Sequence, residues 1–281
     1  MARIGLHVSI AGKIYEAIDR AIELKCETIQ IFSRNPRGWE ASPLDPKDAA
    51  EFVKRKKASG IAPVLVHIPY IINLATPDEN LRTRSIEAYI EDLKRTDMLG
   101  AEYFVTHLGS HVGSGEAAGI KSFTESLNTI ITKAKPRCMI LLENTAGSGD
   151  QLGFRFEQIG KILEGVDDKE RVGVCFDTEH AYGAGYDIAT KEGLDKTLKE
   201  FDEAIGLDWI KAVHFNDSMV RLASRVDRHE HLGKGNIGKE GMKRIINHPK
   251  LRDLAFVMET PKKKPTDDPM NMKMARMLRG K

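Results

Sequence analysis

Short apolar runs that stop on a histidine or a carboxylate recur along this chain, and they constrain its fold more than any other feature. The runs end at His67 (Pro-Val-Leu-Val-His), His107 (Tyr-Phe-Val-Thr-His), Glu143 (Met-Ile-Leu-Leu-Glu), Asp177 (Val-Gly-Val-Cys-Phe-Asp), His214 (Trp-Ile-Lys-Ala-Val-His) and Glu259 (Ala-Phe-Val-Met-Glu). Each has the length and composition of a buried strand. A carboxylate in the middle of such a strand would be stripped of water at a high cost in free energy. At the end of the strand the same group meets solvent, a metal ion or a substrate. Two further strand-like runs, Ile4 to Ser9 and Thr28 to Ser33, open the chain. Between the runs the apolar spacing is helical, over 12–24, 46–59, 80–99, 117–134, 156–164, 191–205 and 239–246.

Strict alternation of strand and helix predicts a parallel sheet with helical crossovers. Eight such units in 281 residues, without a linker or a low-complexity stretch, predict a closed (β/α)8 barrel, the TIM barrel, as one domain over 1–281. An open doubly wound sheet is the alternative, but it gathers ligands at one switch point and has no need of polar groups at most strand ends. In a barrel those ends converge on one mouth. Lys+Arg 43 against Asp+Glu 41 leaves a formal charge of +2, so any nucleic-acid site must be a local patch. No apolar run approaches a membrane span, and the N-terminus enters a strand pattern without a signal peptide. Cys26, Cys138 and Cys175 are odd in number and lack zinc-knuckle spacing. They read as reduced, buried thiols of a cytoplasmic protein.

The strand-end residues are joined by His180, just past the sixth strand, and by Asp227-Arg228-His229 in the long loop after the seventh. Residues i and i+2 of an extended segment project to the same side, so Asp227 and His229 can reach one ion. Mixed imidazole and carboxylate donors without thiolate suit zinc or manganese, and iron(II) is chemically compatible. The nine donors exceed the needs of one ion. At roughly three protein ligands per catalytic zinc, with one bridging carboxylate, three ions fit. His7 reads as an inward-facing residue near the mouth with a supporting or substrate role. His111 and His231 lie in polar loops near the candidate ligands, and His248 before Pro249 reads as a solvated turn residue.

Several segments resemble the motifs of the endonuclease IV family. They are Phe176-Asp177-Thr178-Glu179-His180 through Asp187, His214-Phe215-Asn216-Asp217-Ser218, Asp227-Arg228-His229-Glu230-His231-Leu232-Gly233-Lys234-Gly235, Leu142-Glu143-Asn144-Thr145-Ala146-Gly147 and Gly5-Leu6-His7-Val8-Ser9. The resemblance runs in order along nearly the whole chain. It implies a (β/α)8 barrel with a trinuclear zinc centre that incises double-stranded DNA at abasic sites. His67, His107 and a bridging Glu143 would hold one Zn2+. Glu143, Asp177, His214 and Glu259 would hold a second. His180, Asp227 and His229 would hold the third, where Mn2+ is an alternative. Glu143 and Glu259 would be the catalytic carboxylates. Arg37 and Tyr70 match positions on two loops that penetrate the DNA at the lesion. Read alone, Arg37 is a solvated loop charge and Tyr70 a half-buried ring.

The implied reaction is hydrolysis of the phosphodiester 5′ to the abasic site, leaving a 3′-hydroxyl and a 5′-deoxyribose phosphate, by a monomer that wraps DNA and has no membrane partner. The chain departs from the family at Glu179, where cysteine is common. A turn at that point predicts that Glu179 faces away from the ligands. The Met-rich helix after Lys262-Lys263-Lys264-Pro265 carries no assignable motif. Two other readings remain open on the residues alone. A metal-dependent sugar isomerase or epimerase of the same barrel class needs one or two ions. A damage-binding module would bind without turnover.

Overall fold

The computed structural model describes residues 1–40 and 42–280. Eight parallel strands close into a barrel: β1 (Arg3–His7), β2 (Thr28–Phe32), β3 (Val64–His67), β4 (Tyr103–His107), β5 (Met139–Glu143), β6 (Val172–Asp177), β7 (Ile210–His214) and β10 (Ala255–Met258). Closure is made by β1 against β10, with Arg3 opposite Ala255 and Leu6 opposite Met258. The remaining pair, β8 (Asp217–Ser218) and β9 (His229–Glu230), is a short antiparallel ribbon above the mouth, in a stretch that reads from the sequence as a long loop.

The helices are α1 (Glu16–Glu23), α2 (Pro46–Ser59), α3 (Glu79–Met98), α4 (Glu116–Ala134), α5 (Phe156–Gly165), α6 (Thr178–Ala184), α7 (Lys191–Ala204), α8 (Gly238–Asn247) and α9 (Asp267–Arg279). Their ends follow local chemistry. Asp45 caps α2 by accepting from Lys47 N at 2.8 Å, Pro46 starts the helix, and Gly60 ends it at φ 72°. Asp78 caps α3 through Asn80 N and Leu81 N. Helix α6 is too short for periodicity to reveal. It forms because Asp177, the last residue of β6, accepts from His180 N at 2.8 Å. Helix α9 returns the chain end to the barrel, burying Met272, Ala275 and Leu278. Arg279 then donates to Ala2 O and Glu27 Oε2, each at 2.6 Å.

Two apolar compartments follow from the period-2 alternation of the strands. Outward residues such as Val64, Val66, Ile140, Leu142, Val174, Phe176 and Val213 pack beneath the helices. Inside the barrel, Leu65, Val105, Leu141, Cys175, Ala212 and Val257 form a separate buried layer. The residue two positions after each of these is, in order, His67, His107, Glu143, Asp177, His214 or Glu259. The pleat that points the apolar layer inward therefore points those six side chains inward one layer higher, at the mouth. On β1 the interior position is Gly5, where a Cβ would lie 1.7 Å from Thr28 O. Only glycine allows the β1–β2 approach, and two residues on stands His7.

Candidate metal centre

Glu143, on β5 and fully buried, is the hub of the mouth. Its Oε2 lies 3.2 Å from His67 Nε2 and 3.1 Å from His107 Nε2. Its Oε1 lies 2.7 Å from His214 Nδ1. Glu259 Oε2 and Asp177 Oδ2 approach the same His214 nitrogen at 3.3 and 3.7 Å. Potential ligand atoms thus fall into two groups sharing Glu143: His67, His107 and Glu143, then Glu143, Asp177, His214 and Glu259. A third group lies toward the ribbon. His180 Nε2 is 3.3 Å from Asp227 Oδ2, and His229 Nε2 is 3.4 Å from Asp227 Oδ1. All nine residues singled out in the sequence are thereby brought to one mouth.

Several imidazoles are aimed by a fixed partner on their other nitrogen. His67 Nδ1–H donates to Ile68 O at 2.7 Å, His180 Nδ1–H to Asn144 O at 2.8 Å, and His229 Nδ1–H to Glu259 O at 3.1 Å. His214 Nε2–H donates to Gln30 Oε1 at 2.7 Å. Each ring therefore turns a lone pair into the mouth, as metal-binding histidines do. The carboxylates are held too. Gln30 Nε2 donates to Glu259 Oε1 at 2.6 Å, and Asn216 Nδ2 to Asp177 Oδ2 at 2.8 Å. Asn144 accepts from Asp177 N and donates to Asp177 O.

The charge balance calls for cations. Burial pushes the Glu143 carboxyl up, but His214 and His107 outweigh it and hold it well below its usual range. Burial likewise opposes ionisation of Asp227, yet the hydrogen bond and charge of His180 bring it down to about 2. For His180 burial favours the neutral ring, while Asp177, Asp227 and Glu143 raise its pKa well above the ordinary value. Ionised carboxylates packed this closely need positive charge, and protonated imidazoles supply it only by giving up their lone pairs. Buried His229 Nε2 and Glu179 Oε2 moreover have no hydrogen-bond partner. Mixed nitrogen and oxygen donors with unpartnered buried atoms fit divalent metal ions.

Sequence reasoning missed the supporting residues. Gln30 could have been flagged as an amide in the apolar run Thr28–Phe32, and Asn216 as a polar residue two past His214. Glu179 is a correction. It does not face away: it is fully buried, because residue 179 belongs to a helix packed under the ribbon. Its Oε1 accepts from Ser218 Oγ at 3.1 Å and Arg228 N at 3.2 Å, and its Oε2 lies 4.0 Å from His229 Nε2. Among the other histidines, His7 Nδ1 is 3.0 Å from Gln30 Nε2 and 3.4 Å from Glu259 Oε1. His111 accepts from Gly115 N, and His231 accepts from Asn271 Nδ2, so both serve local loop structure.

Arg37 and Tyr70 lie outside these groups, on loops leaving β2 and β3. Tyr70 is 62 % exposed, with its ring 5.4 Å from Phe32 and 6.2 Å from His67. Arg37 is exposed, but its loop is fixed. Arg34 makes a buried two-toothed ion pair with Asp92 of α3 and donates to Gly38 O, and Arg84 lies over Trp39. Arg37, Pro36, Phe32 and His7 line a groove of about 910 Å³ beside the mouth.

Such a barrel, with clustered His, Asp and Glu side chains at the C-terminal ends of its strands, fits the class of TIM barrels with a candidate metal centre at the mouth. Residues 18–279 match the family described as xylose isomerase-like TIM barrel. The chain is 46 % identical over 281 residues to the probable endonuclease 4 of Methanosphaerula palustris, covering 99 % of this chain and 98 % of that one. It is 45 % identical to the probable endonuclease 4 of Methanoculleus marisnigri, with full coverage of both chains. The crystal structure of endonuclease IV from Thermus thermophilus superimposes with a TM-score of 0.88 at 37 % identity, covering 98 % of each chain. The chain belongs to the endonuclease IV family.

Proposed function

We propose that this protein is a DNA repair endonuclease that hydrolyses the phosphodiester bond 5′ to an abasic site, leaving a 3′-hydroxyl and a 5′-deoxyribose phosphate. The observation that carries this reading is the third donor group. An isomerase of the same barrel class has use for the groups around Glu143, but His180, Asp227 and His229 are surplus to it. The family relatives named endonuclease 4 point the same way.

In this reading His67, His107 and Glu143 hold one Zn2+, Glu143, Asp177, His214 and Glu259 a second, and His180, Asp227 and His229 a third Zn2+ or Mn2+. Bound divalent cations supply activation of water near neutral pH and stabilisation of charge on a phosphate under attack. The protein's own part is arrangement. Glu143, shared by two groups, fixes their separation. Glu259 lies at the open side of the mouth, 18 % exposed, within reach of an incoming phosphodiester. These are the two carboxylates we place in catalysis.

Arg37 lines the groove beside the mouth, and Tyr70 packs on Phe32, which lines it too; from these loops they would enter the duplex at the lesion. A missing base lowers the cost of unstacking there, which gives selectivity. Phosphate contacts on the flanks make affinity fall with salt. The protein works as a single domain and a monomer in the cytoplasm, without a membrane partner. Among the described residues no helix is long and apolar enough to cross a membrane.

Incubation with a duplex carrying one abasic site is expected to give a single nick 5′ to it. Brief EDTA treatment leaves activity largely intact, because His67, Glu143, Asp177, His180 and His214 are buried, and prolonged chelation abolishes it. Absence of nicking with all metal positions filled would reject the endonuclease reading.

A further inference from the structure

We propose that Glu179 is a ligand of the third cation, its Oε2 joining His180, Asp227 and His229. The inference rests on the trinuclear reading above. Glu179 Oε1 is already used, by Ser218 Oγ and Arg228 N. Glu179 Oε2 is buried with no hydrogen-bond partner, and so is His229 Nε2. The two atoms face each other at 4.0 Å. That is too long for a hydrogen bond. It falls within the span of two donors on one ion, each roughly 2.0–2.2 Å from it. A carboxylate oxygen of Glu179 also falls within 4.8 Å of donor atoms of Asp177, His180 and His229. His229 has its Nδ1 committed to Glu259 O, so Nε2 is its only free donor. A bound cation satisfies both orphaned atoms at once.

The position is also where the chain departs from the cysteine of the resembling family. A cysteine side chain is shorter by two heavy atoms and would not carry a donor as far toward His229. The extra carboxylate gives the third position two oxygen and two imidazole donors. It shifts the preference of that position toward harder, oxygen-seeking Mn2+, and it holds the ion more firmly.

The test combines a crystal structure of the metal-loaded protein, using anomalous scattering at the Zn and Mn edges, with metal titrations of wild type and Glu179→Gln. Glutamine keeps an acceptor for Ser218 and Arg228, so the ribbon stays in place while the anionic donor is lost. The expected result is a third ion in direct contact with Glu179 Oε2. Titration should then show the third ion of Glu179→Gln weakened on the order of tenfold or more, with its Mn2+ preference over Zn2+ reduced. A third ion lying more than about 3 Å from Glu179 Oε2, with equal third-ion affinity in the two proteins, overturns the proposal. Wild type that saturates at two ions instead overturns the trinuclear reading and this inference with it. The crystallographic distance is read on wild type and does not depend on the folding of the variant.

Discussion

The mouth of the barrel has two halves that are held in different ways. His67, His107, Glu143, Asp177, His214 and Glu259 stand at strand ends, each two residues past a buried interior side chain. Their positions are set by backbone pairing, and displacing one means breaking the barrel. His180, Asp227 and His229 stand on α6 and on the long β7–β10 connection. The part of that connection that carries Asp227 and His229 is held by loop hydrogen bonds outside the barrel ladder, those of Ser218 and Arg228 to Glu179 among them. Asp217 accepts from Gly233 N, Gly235 N, Ile237 N and Gly238 N, and Arg225 Nε donates to Gly147 O at 2.9 Å. One half is therefore as stable as the fold, and the other opens at the free energy of its local contacts. On the proposed function, the difference separates ions that survive as long as the barrel does from one that is lost with a loop.

The largest effect that would bear on this contrast is removal of the hub. Glu143→Ala takes a donor from both strand-held groups and leaves neighbouring imidazoles without their counter-charge. Nicking should fall on the order of 10⁴-fold or more, since groups that act as a unit fail together. Metal analysis should lose two ions and retain the third. Loss of all three at once would show that the loop half has no independent hold.

Asp217→Ala is the converse. It frees the connection without touching a proposed ligand, stranding the buried Ile237 N–H and part-buried glycine N–H groups at a cost of about 1–3 kcal/mol. Two ions should stay and the third should weaken on the order of 10- to 100-fold. Equal weakening at every position would erase the distinction between the halves.

The same contrast explains what was legible in the sequence. Strand-end histidines and carboxylates could be read because the period-2 pattern places them, and the apolar layer beneath repeats the message. Helices such as Pro46–Ser59 agree with the sequence to the residue, since Asp45, Pro46 and Gly60 mark the ends. The loop half was legible only in its donors. Helix α6 is set by a capping carboxylate, and the ribbon by backbone pairing between residues far apart in sequence, so the direction of Glu179 could not be read. Gln30 was hidden for a different reason: its importance comes from partners at the ends of β1, β7 and β10, not from its neighbours.

Tyr70 tests whether the rigid half also governs DNA binding. Its ring leans on Phe32 at the end of β2 and reaches solvent, so the strands present it already ordered. Tyr70→Ala should cost roughly 1–3 kcal/mol of binding to an abasic duplex, the scale of one base–aromatic stack, and much less to intact duplex. Equal losses would reject a lesion-sensing role.

The smallest effect concerns the outer support of the strand half. Glu116, at the start of α4, accepts from Gln158 Nε2 at 2.8 Å, and Arg155 pairs with it across the β5–α5 connection that follows Glu143. Burial raises the Glu116 pKa, but the hydrogen bonds from Gln158 and Arg155 outweigh it and leave the folded value below 4.5. A depressed folded pKa means that its stabilisation is present above the unfolded value and lost as pH falls through the folded one. Arg155 is half exposed, so solvent screening keeps the contribution to less than about 1 kcal/mol. Wild type should therefore be slightly more stable than Glu116→Gln in denaturant titrations at about pH 6, with the gap closing as pH drops below 4.5. Third-ion affinity should be the same in the two proteins, because this contact supports the strands and not the loop. A gap that widened in acid, or a weakened third ion, would mean that the two halves share supports that the geometry keeps apart.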